Sequence, residues 1–281
     1  DKTREICERY AAADDRVLVI HKENSGVSES RNMAIAQAHG EYLQFLDCDD
    51  WITPDATESL VRAAVEDDCD LVIADFYRVN GKHYVEKKHI KKTHVMTREE
   101  FAMEMAEDPA DFYYGVMWNK LYRKSILLEH QIQCDTSMNW CEDFVLNLQM
   151  IRHAERFRAL QKPIYYYMKR KGSLVSTEAV STEAVKVKFE LLEKYRDLYQ
   201  SIGLYEEHKL KINSYILAVA KDGAAGVMTP KSKKLSPENV IPDKEKPGYQ
   251  HVEHTFEPVY DENSEILILG TFPSVKSREN N

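Results

Sequence analysis

Tyr42-Leu43-Gln44-Phe45-Leu46, followed at once by Asp47-Cys48-Asp49-Asp50-Trp51, is the stretch on which the reading of this chain turns. A β-prone run that ends in closely spaced carboxylates puts negative charge at the carboxyl end of a strand, where open α/β sheets bind their ligands. If the chain stays extended through the cluster, Asp47 and Asp49 point one way and Cys48 the other. Two hard oxygen donors on one side suit Mg²⁺ or Mn²⁺, which substrate phosphates and water usually complete. An isolated acidic turn is more often a solvated loop or helix cap; here the preceding strand and the motifs described below favour a nucleoside diphosphate site.

Outward from this stretch, strands and helices alternate. Upstream, residues 2–14 read as a helix with Asp1 as its N-cap and Ile6, Tyr10 and Ala13 on one face. Residues 16–21 are a short β-rich run, 24–26 a turn, and Ser28 the cap of a helix that stops near Gly40. Downstream, Pro54 lies in the first turn of a helix running to about Asp68, and residues 70–79 form the next strand. This alternation predicts an α/β sheet with helices on both faces. Residues 82–96 read as a hairpin, 97–107 and 142–153 as helices, and 163–168 as a strand. Residues 183–227 read as one or two helices broken near Gly203.

Composition narrows the function classes. The chain has 281 residues, 43% apolar and 30% charged, as an ordinary globular protein does. Its net charge of −9 argues against nucleic acid as a partner of residues 1–227. The five cysteines include no C-x-x-C pair and fit reduced thiols in a cytoplasm. No apolar run approaches the roughly 18 to 20 residues of a membrane span. The ten histidines show no H-E-x-x-H or paired spacing, which argues against a zinc site.

Several motifs in order carry a resemblance. Residues 24–32 (Asn-Ser-Gly-Val-Ser-Glu-Ser-Arg-Asn), Gly40-Glu41-Tyr42 and Asp47-Cys48-Asp49-Asp50-Trp51 closely resemble the inverting family-2 glycosyltransferases of GT-A fold that build bacterial cell-surface polysaccharides. Trp118-Asn119-Lys120-Leu121-Tyr122, Glu142-Asp143, and Tyr165-Tyr166-Tyr167 with Gly172-Ser173 match further segments of that group. The resemblance implies a GT-A, Rossmann-like sheet with a helical C-terminal part. It also implies a nucleotide-sugar donor, most simply UDP-linked, and a saccharide or lipid-linked saccharide acceptor. Asp49 would hold the metal, Asp47 the metal or the ribose, and Arg31 would face the nucleotide. Asp143, with Glu142 second, would be the base that deprotonates the acceptor hydroxyl; a bland alternative is a helix N-terminal acid favoured by the dipole. A cytoplasmic enzyme at the inner face of the membrane, in peripheral association with it, is the matching location. Trp118 and the tyrosine run read as core packing ahead of sugar platforms, and the role of Lys120 stays open.

The family opens with a strand and a D-D-G-S-T-D ending, of which Asp1 matches the last residue. The chain is therefore expected to lack its first strands and to have little or no transferase activity. Residues 228–248 have a Pro-, Lys- and Ser-rich linker composition. From 249 to 281, His254-Thr255-Phe256-Glu257 and Leu269-Gly270-Thr271-Phe272-Pro273-Ser274 resemble the opening of uracil- and hypoxanthine-type DNA glycosylases. The predicted organisation is thus a transferase domain at 1–227, a linker, and an incomplete second domain at 249–281. The rival function is a DNA-repair glycosylase fusion in which the transferase-like part is a passenger. A non-catalytic sugar-nucleotide binder is the third.

Overall fold

The computed structural model describes residues 3–81, 83–109, 111–138, 141–168 and 182–215, with the short backbone pieces 233–234 and 268–271. Its centre is one mixed sheet. Strands β1 (Tyr42–Asp47), β2 (Trp51–Ile52), β3 (Leu71–Asn80), β4 (His83–Lys87), β5 (Lys120–Arg123), β6 (Phe157–Met168) and β8 (Ile268–Thr271) follow the order β2-β6-β3-β5-β1-β8. Strand β4 pairs with β3 and with β7 (Lys233–Lys234), off that path. The longest pairing is parallel, β3 on β6, while β5 runs antiparallel between β1 and β3. Such a sheet needs cover on both faces, and the near-continuous apolar run Leu71-Val72-Ile73-Ala74 in β3, fully buried, is the sequence signature of that cover.

Helices supply it. They are α1 (Thr3–Ala13), α2 (Val27–Gln37), α3 (Ala56–Glu66), α4 (Arg98–Glu107), α5 (Phe112–Gly115), α6 (Lys124–Glu129), α7 (Glu142–His153), α8 (Thr182–Ser201) and α9 (Tyr205–Asn213). Helix α3 packs on β3, β5 and β6, and α7 packs against α4, α5, α6 and α8. Helix α4 starts in a capping box: Glu100 N–H donates to the Thr97 hydroxyl (3.2 Å) and Thr97 N–H donates to the Glu100 carboxylate (3.0 Å). Gly203, at φ 74, ends α8 and turns the chain into α9, where the sequence puts its break.

Four expectations are corrected. Residues 16–21 form no strand: no strand among the described residues pairs with them, and Val17 and Leu18 are exposed. Ser28 lies inside α2, while Gly26, with φ 91, occupies the cap position. Only a residue without a Cβ takes that backbone without strain. The face of Ile6, Tyr10 and Ala13 on α1 is not buried. Finally, β1 ends at Asp47, and a turn closed by Asp50 N–H donating to the Asp47 carbonyl (3.1 Å) replaces the extended cluster. Strand alternation therefore does not align Asp47 with Asp49. The tail is described only at Lys233–Lys234 and Ile268–Thr271, the latter parallel to β1. The rest of the linker, of the glycosylase-like segment and of the Tyr-Tyr…Gly-Ser motif beyond residue 168 lies outside the described residues, as does Asp1.

Candidate functional site

Arg31 is the hub of the site. It sits on the buried side of α2, only 6% exposed, a position an arginine tolerates when its five donors meet carboxylates. One terminal nitrogen, Nη1, donates to Glu142 Oε1 (3.0 Å) and to Asp143 Oδ1. The other, Nη2, lies 3.6 Å from Asp47 Oδ1. A planar guanidinium touching both sides holds the end of β1 close to the start of α7. More than ninety residues of sequence separate those two elements, and the sheet brings them together.

Each partner is placed by its own local structure. Asp47 is the last residue of β1. Glu142 and Asp143 form the first turn of α7, where acidic side chains are favoured by the helix dipole. The residue before them, Cys141, takes a left-handed conformation at φ 65, uncommon for a residue with a side chain. Its carbonyl accepts from Phe144 N–H (3.1 Å) and Val145 N–H (3.2 Å), so the strained turn is fixed by the helix it starts.

The electrostatics are unbalanced. Burial works against the charge of Arg31, but Asp143, Asp47 and Glu142 outweigh it and hold the guanidinium protonated far above its usual range. Burial, helped by Asp143 alongside and opposed by Arg31, pushes Glu142 up to about 7. One guanidinium faces three carboxylates, and Asp49, half-buried in the turn after β1, adds a fourth. Asp47 and Asp49 are the carboxylates of this cluster that could hold a divalent cation, to which they offer hard oxygen ligands.

Asp50 plays a different part. It accepts from the Tyr165 hydroxyl (2.9 Å) and from Met168 N–H (2.8 Å), and burial raises it to about 7. The Tyr165 hydroxyl in turn accepts from Asp47 N–H (3.2 Å). Asp50 thus ties the acidic turn to β6. The Tyr165 ring stacks on Trp118 at 4.1 Å with 14° between planes, and both are buried. The core-packing reading of Trp118 and Tyr165 agrees with this placement.

Lys120 is buried, and burial pulls its pKa well below the usual lysine range, with Asp143 opposing. Its Nζ donates to the carbonyls of Tyr113 (3.0 Å) and Val116 and to Asn119 Oδ1 (2.8 Å). Asn147, one turn beyond Asp143, donates to the carbonyls of Tyr114 (3.0 Å), Gly115 (2.8 Å) and Val116 (3.2 Å), and accepts from the Tyr122 hydroxyl (2.7 Å). Residues 113–116 are therefore gripped from both sides, and the grip locks α7 in rotation. Sequence reasoning missed Asn147. The available signal was an amide inside the apolar run of α7, where only a satisfied polar group survives.

Residues 1–130 match the family model for Glycosyl transferase family 2. The chain is 30% identical over 176 residues to "Uncharacterized glycosyltransferase EpsJ" of Bacillus subtilis (strain 168), covering 62% of this chain and 51% of that protein. It is 27% identical over 185 residues to the "Poly(ribitol-phosphate) beta-N-acetylglucosaminyltransferase TarS" of Staphylococcus aureus (strain Mu50 / ATCC 700699), covering 65% and 31%. The chain thus spans about half the length of EpsJ and a smaller share of TarS. Among solved structures, S. aureus TarS 1-349 in complex with UDP-GlcNAc superposes with a TM-score of 0.56 at 22% identity, over 81% of this chain and 72% of that one. The fold is accordingly an α/β fold like that of the solved TarS structure. No helix among the described residues is long and apolar enough to cross a membrane.

Proposed function

We propose that this chain belongs to an enzyme that, in its whole form, takes a sugar from a UDP-linked donor and passes it, with inversion, to a hydroxyl of a saccharide or lipid-linked saccharide in cell-surface polysaccharide synthesis, at the inner face of the membrane. The observation that carries the reading is the Arg31 guanidinium, which joins the acidic end of β1 to the Glu142-Asp143 turn of α7. The UDP-GlcNAc-bound TarS structure, with its similar fold, supports a uridine nucleotide as the donor's carrier.

In this reading Asp49 and Asp47 hold Mg²⁺ or Mn²⁺, which when bound neutralises the charge gathering on the departing diphosphate. Arg31 lines the nucleotide side and keeps Asp47 and Asp143 from repelling each other. Asp143 accepts the acceptor's hydroxyl proton, with Glu142 as the second candidate. A sugar hydroxyl is a weak nucleophile until a positioned base takes its proton, and such a base contributes about 10²–10⁴-fold. A base on the face opposite the leaving group gives inversion.

Two variants test the assignment. Asp49→Ala should remove the Mn²⁺-dependent part of UDP binding in calorimetry. Unchanged Mn²⁺-dependent binding would reject Asp49 as a ligand. Asp143→Asn should leave UDP–Mn²⁺ binding intact while turnover falls about a hundredfold or more. A loss of nucleotide affinity without that fall would take Asp143 out of the base role.

A further inference from the structure

Away from this acidic cluster, two loops converge on a second set of ligand-type side chains. His89 follows β4, Asp108 closes α4 and Asp111 opens α5. One ligand atom from each lies within 4.8 Å of the others, the one such grouping of three among the described residues. Bonds of about 2.0–2.1 Å to nitrogen and oxygen imply ligand–ligand edges of roughly 3.3 Å in a tetrahedral zinc site. The three groups therefore need a contraction of at most about 1.5 Å.

The imidazole is held by its neighbours. His89 Nδ1 is 2.8 Å from the hydroxyl of Tyr114, a buried side chain. The ring stacks on Tyr113 (5.7 Å, 26°) and meets Tyr114 edge-on (4.8 Å, 76°). With its Nδ1 proton given to Tyr114, the ring keeps its Nε2 lone pair for a ligand. A partner on the far ring nitrogen is how metal-binding histidines are normally held in one tautomer and orientation. Asp111 is fixed in the same way: one carboxylate oxygen, Oδ1, accepts from Tyr113 N–H (2.7 Å), which leaves the other for a cation. Pro109, between the two aspartates, limits the backbone freedom of the loop that carries them.

We propose that His89, Asp108 and Asp111 form a zinc site, closed by one water, that pins the junction of α4, α5 and the loop after β4. One nitrogen and two carboxylate oxygens are a donor set that zinc accepts readily. The site borders the Tyr113–Val116 segment whose carbonyls Lys120 and Asn147 hold. Zinc there stiffens the segment against which α7 packs. The assignment runs against the histidine spacing in the sequence, because its single histidine is joined by two aspartates from a separate loop.

Zinc binding is measured by competition with a chromophoric zinc chelator, using the whole chain and an Asp47→Asn/Asp49→Asn double variant that removes the acidic pair. One zinc should bind per chain in both, and zinc should raise the thermal midpoint of both. His89→Gln and, at the exposed ligand, Asp108→Asn should each weaken binding about tenfold or more while far-UV circular dichroism stays unchanged. Tyr114→Phe, which keeps the ring and removes only the hydroxyl, should weaken it by about tenfold through the His89 orientation. Should His89→Gln alter the dichroism, Asp108→Asn decides alone. Zinc that is lost with Asp47 and Asp49, zinc that ignores Asp108→Asn, or no zinc at all overturns the assignment.

Discussion

Helix α7 and the first twenty-odd residues of the chain are both apolar-patterned, yet they meet opposite fates. Leu146 and Met150 of α7 are fully buried, and four neighbouring helices pack around it. In α1 no residue is buried: Ile6 is 40% and Tyr10 49% exposed, and beyond the helix Leu18 is 54% exposed. The difference teaches what periodicity can and cannot say. A repeat of apolar residues defines a face; only a neighbouring surface turns that face into stability. It also bears on the proposed site. Glu142 and Asp143 gain a fixed position because the helix behind them is immobilised, whereas the exposed start of the chain could not hold a carboxylate to the tolerance that catalysis demands.

The largest expected effect is in α7. Leu146→Ala should cost about 2–5 kcal/mol, the usual penalty for emptying a fully buried leucine site. Urea unfolding followed by tryptophan fluorescence measures it. A cost below about 1 kcal/mol would mean that α7 is no better anchored than α1, and the contrast would collapse.

A middle effect sharpens the comparison from the sheet. Asp75 in β3 is 1% exposed and neither carboxylate oxygen has a hydrogen-bond partner among the described residues, whereas the equally buried Asn147 of α7 is bonded on both its oxygen and its nitrogen. Burial raises Asp75 to about 7, with Lys88 opposing. The folded state then holds a proton that the unfolded chain releases between its ordinary value of 3.8 and 7. In that window the native state binds more protons, so this group makes stability fall as pH rises toward 7, and the penalty is fully present above it. Asp75→Asn should therefore stabilise the protein by about 1–2 kcal/mol at pH 8 and flatten the slope between pH 4 and 7. An unchanged slope would show that Asp75 is solvated or paired in solution.

How far the sequence reveals this molecule follows the same division. Strand β1 and its acidic end, β3, α4 and α7 are legible because each is long, strongly patterned and closed by a turn or cap signal. Strand β5 is not: its four residues, Lys120–Arg123, fall inside a motif and show no alternation of their own. The failed strand at 16–21 had the right residues and no partner edge. In the candidate site, the residue types were visible but the geometry was not. Nothing local tells that Arg31 spans from Asp47 to Asp143, since that bond closes over 112 positions. The turn after Asp47 was hidden for a different reason, because Asp50 is drawn to Tyr165 and Met168, more than a hundred residues downstream.

The smallest expected effect closes the comparison from its other end. Ile6→Lys puts a charge where an apolar residue is already 40% exposed, so little transfer free energy is lost and no buried group is left without a partner. The helix should tolerate it, since lysine is at least as good a helix former as isoleucine. Stability should stay within about 0.5 kcal/mol of the parent in the same urea experiment. A loss approaching that of Leu146→Ala would show that α1 packs on something in solution, and that its apolar face is used after all.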